Sequence, residues 1–148
     1  MMHAGREKAV VITGASSGIG KACAARLAQE GFRVFAGVRR PESIEALGSQ
    51  TPGAVEAVVL DVTNLDQISE AARTVGGKVG EAGLYGLINN AGFADPGPLE
   101  YLPLEDIKRQ FEVNVFGPVA AKSGLNDAQE RIFCKVSIVG TTPWRYSC

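Results

Sequence analysis

The chain is poor in the residues that usually carry metal, disulfide or histidine chemistry. Its one histidine, His3, sits at the very start and is assigned no role. The three cysteines, Cys23, Cys134 and Cys148, are odd in number and far apart. They form no Cys-x-x-Cys pair and no metal-ligand spacing, so neither a disulfide framework nor a zinc site is expected. Cys23 reads as a small buried residue rather than a reactive thiol. Long hydrophobic runs are also missing. The longest, such as Ala9 to Ile12 and Val58 to Leu60, are far too short to cross a bilayer. Charge of one sign is not in excess: 15 Lys and Arg face 16 Asp and Glu, a net charge of −1. That removes the electrostatic reason to expect nucleic acid or an anionic membrane as a partner. Met1 to Lys8 carry charge, but no apolar segment follows of the kind a signal peptide needs, so a reducing cytoplasm is the default expectation. No solenoid repeat and no low-complexity segment interrupts the chain.

What is present is a regular alternation of β-like and helical runs. The 148 residues suffice for one domain with a real core, and 45% apolar with 21% charged residues is ordinary for a globular chain. Lys8–Thr13, Arg33–Val38, Val55–Leu60 and Tyr85–Asn89 read as strands. Ile19–Glu30 reads as a helix, with Ile19, Cys23 and Leu27 on one face and Gly31 as its stop. Pro41–Leu47 reads as a short helix with proline in its first turn. Another starts near Thr63 or Asn64, with Thr63 and Asp66 spaced as a capping box, and runs to Val75 or on to Glu81. A Gly- and Pro-rich loop at 92–102 precedes a fourth helix from Pro103 to about Ala121. Strand and helix in strict alternation predict an α/β, doubly wound parallel sheet, the Rossmann arrangement, in one domain over 1–148.

The segment Thr13-Gly14-Ala15-Ser16-Ser17-Gly18-Ile19-Gly20 joins the first strand to the first helix. A helix N-terminus presents unpaired N–H groups and a partial positive charge, which suits a pyrophosphate. Gly14 allows the sharp turn, Gly18 lets backbone approach the phosphates, and Gly20 lets helix and strand pack closely. Ser16 and Ser17 add hydroxyl donors. A ligand-free tight turn is the competing reading, and the strand-to-helix position argues against it.

With its G-x-x-x-G-x-G spacing, this segment resembles the cofactor signature of classical short-chain dehydrogenases/reductases. Asp61-Val62, then Asn89-Asn90-Ala91-Gly92, then Asn114 within Glu112-Val113-Asn114-Val115-Phe116-Gly117 match further family motifs in order. Val34-Phe35-Ala36-Gly37-Val38-Arg39 and the stretch from Pro98 to Asp106 lean toward bacterial reductases and retinol- or steroid-dehydrogenase-like enzymes. The resemblance covers residue 7 to about 121. It implies that Ile19 belongs to the cofactor turn, that Asp61 accepts from the adenine amino group while Val62 gives backbone contact, and that Asn89, Asn90, Ala91 and Gly92 hold the adenosine ribose and tie strands together. Helix capping is the other reading of Asp61.

Cofactor choice follows from charge. An NAD site wants an acid about 20 residues past the glycines, to accept from the ribose 2′-OH. Here that position holds Val38, Arg39 and Arg40. An arginine fork suits a 2′-phosphate, so NADP(H) is expected over NAD(H), with Arg39 as the reader and Arg40 as a solvated charge.

The resemblance implies a catalytic asparagine, serine, tyrosine and lysine, acting on a small carbonyl or alcohol. Asn114 matches the asparagine. Independently, Pro118 lacks the N–H that would bond the Asn114 carbonyl in an α-helix, which frees that carbonyl for water or merely kinks the helix. No Tyr-x-x-x-Lys occurs in the 148 residues. From about Lys122 the resemblance fades, and Gly124 and Asn126 are poor helix residues, so 122–148 is expected to be a divergent tail. Within it, Arg131, Ile132, Ser137 and Gly140 resemble the fifth strand and its serine, although Ser137 stands closer to Asn114 than the family implies and Lys135 takes an apolar position. A chain truncated, spliced or frameshifted after about Ala121 is the expectation, incomplete on its C-terminal side. Three readings stay open: a segment of an NADP-dependent reductase that is inactive alone, a non-catalytic dinucleotide- or partner-binding product, and a chain that folds poorly.

Overall fold

The computed structural model describes residues 8–43, 55–127 and 134–137. Five strands form one sheet: β1 (Ala9–Ile12), β2 (Arg33–Val38), β3 (Val55–Val59), β4 (Gly86–Asn89) and β5 (Cys134–Ser137). Their order is β3-β2-β1-β4-β5, and every neighbouring pair is parallel. The chain therefore reverses its direction of winding at β1, and ligands in such sheets bind at the crevice beside that switch point.

Alternation along the strands builds two cores. Val11, Phe35 and Leu87 point to one face and pack with Ile68, Ala71, Ala72, Val75 and Leu125. Val10, Ile12, Val34, Ala36 and Val38 point to the other and meet Ala24, with Cys23 and Leu27 half-buried beside them. A sheet covered on both faces explains why the strands read as continuous apolar runs.

The covering helices are α1 (Gly18–Gln29), α2 (Leu65–Val79), α3 (Leu104–Phe111) and α4 (Gly117–Asp127), with a π-helical segment at Glu112–Phe116 between the last two. Short 3₁₀ turns lie at Gly80–Ala82 and Leu99–Tyr101. The expected helix Pro41–Leu47 falls mostly outside the described residues, as do Arg131, Ile132 and Gly140.

Two expectations need correction. Asn64, not Thr63, caps α2: its Oδ1 accepts from the Gln67 N–H at 3.1 Å, while the Thr63 hydroxyl donates to Asp61 Oδ1 at 2.7 Å. Nor does the helical order end near Ala121. It continues to Asp127 because Ala121 and Leu125, one turn apart, are buried at 0% and 1% exposure. Gly124 sits where any side chain would overlap Ile68, so the residue that weakens the helix locally permits its close packing on α2. The segment resembling a fifth strand is one, with Ser137 in register beside Asn89.

Candidate dinucleotide site

Above the C-terminal ends of the strands lies an open cleft of about 910 Å³. Its floor is the turn between β1 and α1. Gly14 adopts φ +66°, and a Cβ there would stand 2.8 Å from the Ala91 Cα. The turn is pinned from behind. Buried Thr13 Oγ1 accepts from the N–H groups of Asn90 and Ala91, both at 3.0 Å. The Asn90 amide donates to the Thr13 and Gly14 carbonyls, each at 3.0 Å. A Cβ on Gly20 would sit 2.5 Å from the Gly14 carbonyl oxygen and overlap the Asn90 amide. Gly20 is thus required by packing, as its position suggested.

The face of the turn toward the cleft is left open. Ser17 occupies the cap position of α1 with extended backbone (φ −157°, ψ 175°), yet its side chain makes no capping hydrogen bond. Ser16, Ser17, Gly18 and Ile19 are exposed and line the cleft. Gly18 has φ +56°, and nothing lies within 4 Å of where its Cβ would be. An uncapped helix N-terminus with exposed serines and clear space has the chemistry to receive an anionic group that approaches backbone closely.

One side of the cleft is formed by the ends of β2 and β3. Arg39 lies just past β2, exposed on the cleft, with no ion pair or hydrogen bond among the described residues. Asp61 is held in a tight local turn rather than at a helix cap. Its Oδ1 accepts from the Thr63 N–H at 2.9 Å and from the Thr63 hydroxyl, and its N–H donates to Gln67 Oε1 at 2.9 Å. Asp61 Oδ2 accepts no hydrogen bond among the described residues. Leu60 and Val62, at 1% and 5% exposure, supply the apolar lining between these groups.

The opposite wall comes from the segment after β4 and from α3 with its π continuation: Gly92, Phe93, Arg109, Glu112 and Val113. Asn114 Oδ1 accepts from the Phe93 N–H at 3.0 Å, and Asn114 Nδ2 donates to the Phe93 carbonyl at 2.6 Å. Arg109 pairs with Asp95 at 2.7 Å and stands 5.2 Å from the Phe93 ring centroid. The two cleft arginines therefore differ: Arg109 is paired with Asp95 and, at 3.5 Å, with Asp106, whereas Arg39 meets no carboxylate among the described residues.

Around Asn114 the helical hydrogen bonds change register, the Gly117 N–H donating to the Glu112 carbonyl five residues back. Pro118 then offers no N–H. The Asn114 side chain is committed to Phe93, so any role toward a ligand falls to its main chain. Asn89 is buried at the end of β4, with an Oδ1 that has no hydrogen-bond partner among the described residues. Ser137 enters by backbone register alone.

The structure gathers Gly14, Ser16, Ser17, Gly18, Ile19, Arg39, Asp61, Val62, Asn90, Ala91 and Gly92 on one cleft, with Gly20 packed beneath it. Sequence reasoning missed Thr13, Thr63, Gln67, Phe93 and Arg109. Of these only Thr13 and Thr63 had a usable signal, as short hydroxyl residues beside a strand end. Among the described residues no helix is long and apolar enough to cross a membrane, and no group of His, Cys, Asp and Glu is placed to hold a metal ion.

Comparison with known proteins agrees with this geometry. The family model for short chain dehydrogenase matches residues 8–131. The NADPH-dependent 3-dehydrocapnine reductase of Ornithobacterium rhinotracheale is 38% identical over 109 residues, 74% of this chain and 38% of that protein. Retinol dehydrogenase 5 of Mus musculus is 35% identical over 136 residues, 88% of this chain and 43% of that protein. Among solved structures, a short-chain dehydrogenase from Streptomyces avermitilis superposes with a TM-score of 0.73 at 34% identity, covering 84% of this chain and 44% of that one. A 3-ketoacyl-(acyl-carrier-protein) reductase from Brucella melitensis, complexed with NADH, gives 0.74 at 30% identity, covering 82% and 49%. The chain spans less than half the length of these curated relatives. With the glycine turn, the strand order and the matched residues in agreement, the chain belongs to the short-chain dehydrogenase family.

Proposed function

We propose that this chain is the NADP(H)-binding segment of an oxidoreductase that exchanges a hydride between the cofactor and a small carbonyl or alcohol substrate. Family membership supports a nicotinamide dinucleotide. The choice of NADP(H) is carried by one observation: Arg39 presents a guanidinium with no partner among the described residues at the end of β2, where a 2′-hydroxyl reader would need a carboxylate. Ser16, Ser17 and the first-turn N–H groups of α1 would hold the pyrophosphate. Asp61 Oδ2 would accept from the adenine amino group, and Asn89 through Gly92 would border the ribose. When bound, NADPH supplies the hydride at its nicotinamide ring. Asn114 would offer its main-chain carbonyl to a water, and Ser137, at the end of β5 beside Asn89, would stand on the substrate side.

The 148 residues contain no Tyr-x-x-x-Lys. Hydride transfer to a carbonyl needs a proton donor within hydrogen-bond reach of the oxygen, and an unactivated serine is a weak one. Alone, this chain binds NADPH without turning over. The second reading, a non-catalytic dinucleotide- or partner-binding product, rests on the same missing pair.

Fluorescence titration tests the cofactor assignment. NADPH binds more tightly than NADH, the gap narrows as salt rises because the contact is ionic, and Arg39→Asp reverses the order. Equal affinities at low salt overturn it. An assay of the purified chain with NADPH and a broad carbonyl panel tests the rest. No turnover is expected, and turnover that survives repurification and vanishes in Asn114→Ala overturns the inactivity.

A further inference from the structure

Gly117 opens α4 and is buried against the corner that follows β3. A Cβ built on it would stand 2.6 Å from Val62 Cγ2 and 3.0 Å from Val62 Cβ, closer than packed carbons approach. Its N–H closes the π segment by donating to Glu112, and Glu112 and Val113 line the cleft opposite Asp61 and Val62. Gly117 is therefore the point at which one cleft wall leans on the other. In a helix a glycine costs stability relative to alanine, so local propensity does not explain its presence, whereas the contact with Val62 does.

We propose that Gly117 is a positioning residue for the adenosine half of the dinucleotide: the missing side chain seats Val62 and sets the gap between the Asp61–Val62 corner and the Glu112–Val113 wall. The inference rests on the dinucleotide reading above. A methyl group at 117 must push either Val62, which is 5% exposed, or the π segment, which has no buried residue, aside, and either movement changes the gap between the two walls. Gly124, about two turns further along the same helix, makes the same kind of close approach to Ile68 but is not among the residues lining the cleft. It separates the effect of helix seating from the effect on the site.

The test is calorimetric titration with 2′,5′-ADP, which carries the adenosine half alone, on the wild-type chain, Gly117→Ala, Val62→Ala, the double variant and Gly124→Ala. Gly117→Ala weakens 2′,5′-ADP binding on the order of tenfold, the scale of a one-methyl overpacking. In the Val62→Ala background, where the 2.6 Å approach to Cγ2 is gone and the 3.0 Å approach to Cβ is left, the same substitution weakens it by a clearly smaller factor, since a cycle isolates the contact between the pair. Gly124→Ala lowers the melting midpoint while the folded protein keeps its 2′,5′-ADP affinity. Wild-type binding by Gly117→Ala, or an equal loss in both backgrounds, overturns the proposal alone. A wild-type chain that ignores 2′,5′-ADP overturns the dinucleotide reading and this one with it. If Gly117→Ala does not fold, Val62→Ala must recover part of the folding and binding in the double variant, and no recovery at all overturns the contact.

Discussion

The floor of the cleft is main chain braced from behind, and its helical wall is side chain braced from the side. At the floor, Gly14, Gly18 and Gly20 leave no side chains of their own, and the turn is held by four hydrogen bonds from Thr13 and Asn90 that are buried or partly buried. At the wall, Phe93, Arg109 and Glu112 project into a half-open space and are held by Asn114 and by exposed ion pairs. A backbone receptor has one geometry and no rotamers to lose, so it suits a group that every dinucleotide shares. A side-chain wall adapts and suits adjustment of affinity. The comparison predicts that changes at the floor abolish binding or unfold the turn, while changes at the wall only scale it.

Gly18→Val gives the largest expected effect. Its Cβ meets open space, so the fold survives apart from the strain of a β-branched residue at φ +56°, about 1–2 kcal/mol. The side chain nonetheless occupies the place where, on the proposed function, phosphate approaches backbone. NADPH binding falls on the order of a hundredfold or more, about 3 kcal/mol of lost contact. Circular dichroism and titration on the same sample decide it: a folded variant that binds normally puts the phosphates elsewhere.

Thr13→Val comes next and acts on stability. The hydroxyl oxygen accepts two N–H groups, and valine of the same shape leaves both without a partner. Each unsatisfied buried donor costs about 1–3 kcal/mol, so a loss of roughly 2–6 kcal/mol is expected in urea denaturation. A midpoint within error of wild type would mean that the turn is not held from behind. Asn114→Ala follows, with the two hydrogen bonds to Phe93 exchanged for water. About 1–2 kcal/mol of stability is lost, and NADPH affinity drops severalfold as Phe93 loosens. An unchanged affinity would detach the wall from the ligand.

The same contrast decided what could be read before the structure. The floor was legible because its glycines fall between a strand and a helix, where only a special backbone explains them, and the strand-end side because the charge at Arg39 follows a countable offset. Strands β2 and β3 were legible from their apolar runs within one residue. The wall was not. Gly117 and Gly124 lie inside helices, where glycine reads as weakness, and their reason is a partner distant in sequence, Val62 or Ile68. That is why the helix was expected to fail near Ala121 when it runs to Asp127. The cap of α2 was misplaced by one residue because Thr63 and Asn64 are both good caps, and only the turn at Asp61, which recruits the Thr63 hydroxyl, separates them.

Arg109 gives the smallest expected effect, and it tests the comparison most sharply because the two cleft arginines look alike in sequence. Arg109 touches Asp95, Asp106 and the Phe93 ring, but its side chain is 60% exposed, and ion pairs in that setting contribute about 0–1 kcal/mol. Its charge is already balanced by two carboxylates, so little of it is left to attract a phosphate. Arg109→Ala should therefore shift stability by less than about 1 kcal/mol and leave the preference for NADPH over NADH intact. Arg39→Ala, by contrast, should erase that preference with no change in stability. Side-by-side titrations of the two variants at low and high salt separate them. If Arg109→Ala erased the preference and Arg39→Ala did not, the 2′-phosphate would lie against the helical wall. The strand-end side and the helical wall would then have exchanged the roles argued for them.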